Sequence, residues 1–346
     1  MVGFFVALHF ADMTFPQIIK DIRQKQFKPI YFLMGDEPYY IDKICDELEK
    51  HVLTEEEKSF NQSILYGHDV KLKDVVGEAK RYPMMAERVL VVVKEAQHLG
   101  NKWDDLEAYA AAPLDTTVLV FAVKGKKLDK RTRTYKNISN QGVIFESKKE
   151  YENKIPDWIG RNLNARGYKT TPKAVQLLAE SLGNDLNRID NELAKLEVIV
   201  PKNTVIDDTV VEENIGISKD YNNFELINAL RDKNLKKAIK IQKYFAADPR
   251  HHPLVLTLGL LFNYFAKLMI LHQAKDKSPN GLASVLKVGP YFVKDYQAGA
   301  QNYNLKKLGR IIGYIKECDY KSKGIGAAPT PESELLKELI FKIVYA

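Results

Sequence analysis

The sequence predicts a parallel α/β domain followed by a remainder that is almost entirely helical. Three observations predict it. Short apolar runs at residues 29–34, 89–93 and 117–123 alternate with stretches of helical spacing, the pattern of a parallel sheet buried on both faces. Beyond about residue 149 the apolar residues recur at i, i+3, i+4 and i+7. The run Pro29-Ile30-Tyr31-Phe32-Leu33-Met34-Gly35-Asp36-Glu37-Pro38-Tyr39-Tyr40 reads as a buried strand, a glycine turn and a helix start.

A helix over residues 15–26 feeds the strand at 29–34, and a second helix covers 40–51. The apolar places of the second, Ile41, Ile44, Cys45 and Leu48, lie on one face. Residues 59–66 read as another strand. Leu72, Val75, Val76 and Ala79 make a helical stripe, which Pro83 ends because proline disfavours α geometry at Tyr82. Met84 and Met85 follow, then Ala86-Glu87-Arg88 and the strand 89–93. Strands at 117–123 and 143–145 complete the predicted sheet.

The strand–turn–helix junction at Gly35 is where a phosphate-loop ATPase holds its triphosphate. That chemistry needs G-x-x-x-x-G-K-[ST], so that backbone N–H groups and a lysine meet the phosphates. Counted from Gly35, the three key places hold Tyr40, Ile41 and Asp42, and Asp36 and Glu37 would repel a phosphate. A middle strand of such an enzyme ends in Asp-Glu to orient magnesium and water. Here Val93 is followed by Lys94-Glu95, and lysine cannot ligate magnesium. Two separate absences leave the frame of a nucleotide-binding domain without its chemistry, so no catalytic residue, no cofactor and no metal is expected.

Helices are expected over residues 151–165 and from the cap Thr171-Pro172 to Gly183, with Val175, Leu178, Ala179 and Leu182 on one face. Asn184 is placed to cap the next helix, whose face is Leu186, Ile189, Leu193 and Leu196, and a short helix follows over 206–216. Residues 217–222 read as a hinge. Further helices start near Phe224 and Leu235, run over 254–272 behind Pro253, cover 304–321, and close the chain behind Thr330-Pro331.

Composition bounds the class. The chain has 346 residues, 45% hydrophobic and 28% charged, which suits a globular protein of two or three domains. A net charge of +7 permits contact with nucleic acid without requiring it. Cys45 and Cys318 form neither a zinc site nor a disulfide framework, which points to a reducing cytoplasm. Residues 2–10 are apolar but have no basic residue ahead of them, so they make a poor signal peptide, and residues 1–12 are expected to be a non-native or mis-called extension. Asn263 and Lys267 interrupt the apolar stretch 254–271, and a lysine at a membrane centre costs about 2.5–3.5 kcal/mol. A buried bundle helix is expected there, with no membrane role.

The order of these segments resembles the delta subunit of bacterial DNA polymerase III, the wrench of the clamp loader. The residues that carry the resemblance are Tyr31 to Tyr39 around Gly35, then Met84-Met85-Ala86-Glu87-Arg88 before the valine-rich strand. Gly183-Asn184-Asp185-Leu186, His252-Pro253-Leu254-Val255-Leu256, Lys287-Val288-Gly289-Pro290-Tyr291-Phe292-Val293 and Asp319-Tyr320-Lys321-Ser322-Lys323-Gly324 continue it. The resemblance implies a degenerate AAA+-type α/β domain over 13–148, a helical lid over 149–217 and a helical collar over 218–346. It implies partners: the beta sliding clamp, the tau/gamma ATPase subunits, the delta-prime subunit, and primed DNA within the complex. The implied function is to bind the ring-shaped clamp and open it for loading, with no ATP hydrolysis in this chain. The nucleotidyltransferase label of the polymerase holoenzyme then belongs to the complex.

In the family a hydrophobic pair just before the valine-rich strand wedges into the clamp, and here the pair falls on Met84 and Met85. Methionine is unbranched and adapts to irregular pockets. The other reading of the pair packs both side chains onto their own domain's core beside strand 89–93. The densest basic run, Lys124 to Lys136, offers Lys126, Lys127, Lys130, Arg131 and Arg133 as DNA contacts, although such a run is more often a solvated loop and helix face. His251-His252 before Pro253 reads as a helix entry, with no third ligand in sight. Two other functions stay open: an ATP-binding subunit with a non-standard phosphate site, and a DNA-binding scaffold.

Overall fold

The computed structural model describes residues 13–100, 103–151, 154–215, 218, 220–325 and 330–346. The extension expected at 1–12 lies outside them, as do Ile217 and Lys219 of the expected hinge. The chain divides into two compact units, residues 1–150 and 151–346.

The first unit runs α1 (Phe15–Arg23), β1 (Ile30–Gly35), α2 (Pro38–His51), α3 (Glu55–Asn61), β2 (Gln62–Tyr66), α4 (Leu72–Ala79), β3 (Val89–Lys94), α5 (Asp104–Ala111), β4 (Thr117–Lys124), α6 (Arg133–Gln141) and β5 (Val143–Ser147). All five strands are parallel, in the order β2-β3-β4-β1-β5. Alternation along the strands splits the core. Phe32, Met34, Val91, Val93, Leu119 and Phe121 face α4, α5 and α6. Tyr31, Leu33, Leu90, Val92, Val118 and Val120 face α1 and α2. Both faces are therefore covered, and the central strands read as unbroken apolar runs.

The strand expected at 59–66 is shorter. Residues 59–61 close α3, which starts from a reciprocal cap between Thr54 and Glu57, and β2 begins only at Gln62. Helix α5 shows a single short stripe, Leu106, Tyr109 and Ala110, and α6 buries only Thr134 and Ile138, too little for periodicity to mark either.

The second unit runs α7 (Ile155–Ala165), β6 (Lys169–Thr170), α8 (Pro172–Leu182), α9 (Leu186–Ile199), β7 (Val205–Ile206), α10 (Asp208–Ile215) and α11 (Asn223–Arg231). It continues with α12 (Leu235–Ala247), α13 (Leu254–Gln273), α14 (Pro279–Leu286), α15 (Val293–Asn302), α16 (Leu305–Ser322) and α17 (Glu332–Val344). The α9 cap is Asp185 and not Asn184: its carboxylate accepts from the N–H groups of Asn187 and Arg188, where a charged acceptor also suits the helix dipole. The last helix has Pro331 itself at the cap position.

Among the described residues α13 is long and apolar enough to cross a membrane. Its face of Leu254, Leu258, Leu261, Phe265 and Leu268 is buried in a core shared with α11, α12, α16 and α17. Burial lowers the pKa of Lys267 on the same helix.

One buried acid joins α8 to the helices that follow. Glu180 is only half-buried as a residue, but its Oε2 is closed off and has no hydrogen-bond partner, while Oε1 accepts from Gln176 at 2.9 Å. Nearby lie the charge of Glu225 on α11, which is paired with Lys173 and Lys237, and the neutral phenol of Tyr296 on α15. Burial pushes the Glu180 carboxyl up to about 7, against the hydrogen bond from Gln176 and the nearby Phe224 N–H. An unfolded glutamate releases its proton near 4.5. Between those two values the folded chain holds the proton and the unfolded chain does not, so stability falls as pH rises through that window. The loss approaches roughly 3 kcal/mol by pH 8. Denaturant midpoints at pH 5 and pH 8 check it, and Glu180→Gln is expected to remove this part of the difference.

Candidate functional site

The β1–α2 turn has only Asp36 and Glu37 in it, and its donors are already used. The Asp36 N–H donates to the Ser147 carbonyl at 3.1 Å, and the Glu37 N–H donates to Ser147 Oγ at 3.2 Å. Glu37, a residue only 5% exposed, caps α2 with its own carboxylate, which accepts from the Tyr39 N–H at 3.3 Å. Pro38 has no N–H to give. The helix N-terminus that would receive a phosphate thus holds a carboxylate from its own chain. Gly35, at φ +127°, presses against the end of β5, where an added Cβ would meet the Ser147 carbonyl oxygen at 2.1 Å.

The place of the metal is filled in a similar way. The Lys124 ammonium at the end of β4 lies 2.8 Å from Asp42 and 3.3 Å from Glu95. Asp42 stands where a hydroxyl would hold magnesium, and Glu95 stands where an acid would orient water. Lys94 is paired with Glu49 at 2.9 Å. Burial pushes the Glu95 carboxyl up, but hydrogen bonds from Gln97 and Lys124 outweigh it and hold the pKa below the usual range. Among the described residues no three His, Cys, Asp or Glu side chains gather as a metal-binding group.

Met84 and Met85 stand on the loop between α4 and β3. Met84 is 58% exposed, and Met85 is fully exposed. Neither belongs to the core beside β3, so the reading that packs them there does not hold. Phe60 and Tyr82 are exposed beside them in the chain and on α3. Backbone clasps fix this tip. Asn61, 1% exposed, accepts from the Met84 N–H at 2.7 Å and donates to the Met84 carbonyl at 2.9 Å. Arg81 donates to the Phe60 carbonyl at 2.7 Å and pairs with Glu78 at 3.0 Å. Sequence reasoning missed Asn61, whose partner lies 23 residues away, and missed Ser147 for the same reason.

The basic run emerges from the carboxyl end of β4 and is interleaved with acids. Lys127 lies 2.7 Å from Glu146 and 3.8 Å from Asp36, and Lys130 lies 3.9 Å from Glu146. Arg131 pairs with Asp129 at 2.8 Å, which holds that carboxyl down at about 2. Arg133 lies 3.8 Å from Glu107, and Lys126 donates to the Gln97 carbonyl at 3.0 Å. Lys126 and Lys127 also line a cavity of about 230 Å³ with Phe32, Trp103, Val123 and Leu128 on its walls.

Fold and site together define a class: an ATPase-type parallel α/β module whose phosphate turn and metal position are closed by its own side chains, followed by a helical unit. The family model for the DNA polymerase III delta subunit matches residues 31–148, and the model for that subunit's C-terminal domain matches residues 220–338. The chain belongs to the DNA polymerase III delta subunit family. It is 27% identical over 319 residues to the DNA polymerase III subunit delta of Bacillus subtilis, covering 88% of this chain and 90% of that one. It is 22% identical over 259 residues to a probable DNA polymerase III subunit delta of Aquifex aeolicus, covering 72% of each. The solved structure of the Bacillus subtilis DNA clamp loader delta protein matches with a TM-score of 0.57 at 22% identity, covering 96% of this chain and 100% of that one. That likeness supports the fold.

Proposed function

We propose that this chain is the clamp-opening subunit of its loader. It docks Met84 and Met85 in an apolar pocket on the beta sliding clamp and favours the open ring. The observation that carries the reading is Met85, an apolar side chain wholly in solvent on a loop clasped at both backbone groups of its neighbour. Full burial of each methionine contributes about 1.5–3 kcal/mol. Moving a two-state ring from 1:99 to 99:1 takes about 5.5 kcal/mol of preference for the open form. Two buried methionines are of that size if the contact is realised in the open ring only. Hydrolysis then belongs to the tau/gamma ATPase subunits, which assemble with delta-prime and this chain through a collar at 218–346, beside a lid at 149–217. Sizing a mixture of the chain with its organism's clamp tests the reading: a joint species is expected, and separate elution opposes it.

The closed turn supports the absence of nucleotide chemistry. A titration with ATP and magnesium is expected to give no saturable binding at millimolar nucleotide. Tight magnesium-dependent binding would favour an ATP-binding subunit with a non-standard phosphate site.

Lys126, Lys127, Lys130, Arg131 and Arg133 are the proposed DNA contacts of the loader-bound chain. Removing one cation from a phosphate lowers the salt slope by roughly 0.9. Neutralising the five is expected to flatten the dependence of DNA affinity on salt, and an unchanged slope removes them from the DNA path.

A further inference from the structure

We propose that Asn61 is a positioning residue for the docking tip, locking the α4–β3 loop so that Met85 is held out in a strained backbone conformation. The inference rests on the docking role given above to Met84 and Met85.

Asn61 ends α3 and is almost completely buried, although α3 itself lies on an exposed flank of the sheet. Its amide uses both donors and its oxygen locally. Nδ2 donates to the Glu57 carbonyl at 3.1 Å and to the Met84 carbonyl at 2.9 Å, and Oδ1 accepts from the Met84 N–H at 2.7 Å. One side chain therefore holds both backbone groups of Met84, as a neighbouring strand would. A primary amide suits this because it presents a donor and an acceptor side by side.

The residue after the clasp, Met85, has φ +54°. A left-handed backbone is unfavourable for a non-glycine residue, whose Cβ crowds the following carbonyl oxygen. It persists only where the surroundings over-determine it, and such outliers cluster at ligand clamps. Nothing in Met85's own packing over-determines it, because its side chain touches solvent on every side. The constraint comes from the Met84 backbone that Asn61 holds, with Arg81 tying the Phe60 carbonyl just before it. A preorganised loop loses less entropy on docking, which strengthens binding without adding a contact.

The test is a double-mutant cycle on the full-length chain, with affinity for the organism's sliding clamp and thermal unfolding read together. Met85→Ala is expected to weaken clamp binding tenfold to a hundredfold. Asn61→Ala is expected to weaken it about tenfold. The double variant should bind nearly as well as Met85→Ala alone, because Asn61 acts through Met85. A merely structural role for Asn61 would instead weaken both backgrounds by the same factor. Hydrogen exchange on the unmodified chain supplies a readout that needs no variant: the Met84 amide should be protected although its loop is exposed. Additive losses, or an unprotected Met84 amide, overturn the latch and leave the docking reading standing. Unchanged affinity in Met85→Ala overturns the docking reading and the latch with it.

Discussion

Replacing Met85 with aspartate is expected to abolish binding to the sliding clamp and leave the chain folded. The variant loses about 1.5–3 kcal/mol of apolar burial. It also carries a carboxylate toward the apolar pocket proposed for the clamp, where burying an unpaired charge costs several kcal/mol after relaxation. The sum exceeds roughly 4 kcal/mol, or about a thousandfold in dissociation constant. Stability should stay within about 0.5 kcal/mol of the parent, as for other surface changes, because the side chain is fully exposed. Aspartate also tolerates the left-handed backbone at this position better than methionine does. Calorimetric binding and a thermal melt check the two halves. Retained binding would move the contact away from this tip. Loss of folding would mean that Met85 supports its own domain.

The second large effect is structural. Gly35→Ala is expected to destabilise the α/β unit by more than about 3 kcal/mol. Gly35 sits at φ +127°, which side-chain-bearing residues rarely adopt, and the new Cβ would meet the Ser147 carbonyl oxygen at 2.1 Å. Relief would require β5 to part from β1, its only neighbour among the described strands of the sheet. The denaturant midpoint measures the loss. A change of less than about 0.5 kcal/mol, the range of an innocuous surface substitution, would show that β5 is not closed on the turn and that room for a phosphate exists there.

The two predictions rest on parts of the chain that differ in how well the sequence discloses them. The strands β1, β3 and β4 are unbroken apolar runs, and α2, α4, α8 and α9 carry stripes at helical spacing, so their existence follows from period alone. The boundary between α3 and β2 does not, because Phe60 and Asn61 continue a pattern that suits either state. Helices α5 and α6 are only 8 and 9 residues long, so a stripe has little more than two turns in which to show itself. The missing phosphate and metal residues are legible from Gly35 to Asp42 and at Lys94-Glu95. What closes the vacated places is not, because Ser147 and Lys124 arrive from other strands. In the same way Met84 and Met85 are visible in one dimension, while the amide that holds them comes from a separate segment. Strand and helix periodicity reports local burial; these contacts depend on which segments the topology makes neighbours.

Opening of the clamp by this chain, with no nucleotide present, tests the account most directly. A clamp carrying two self-quenching dyes across one subunit interface reports the opening as a rise in fluorescence. The unmodified chain alone should produce that rise, Met85→Asp should produce none, and added ATP should change neither. A ring that stays quenched until ATP and magnesium are supplied to the chain itself would contradict it.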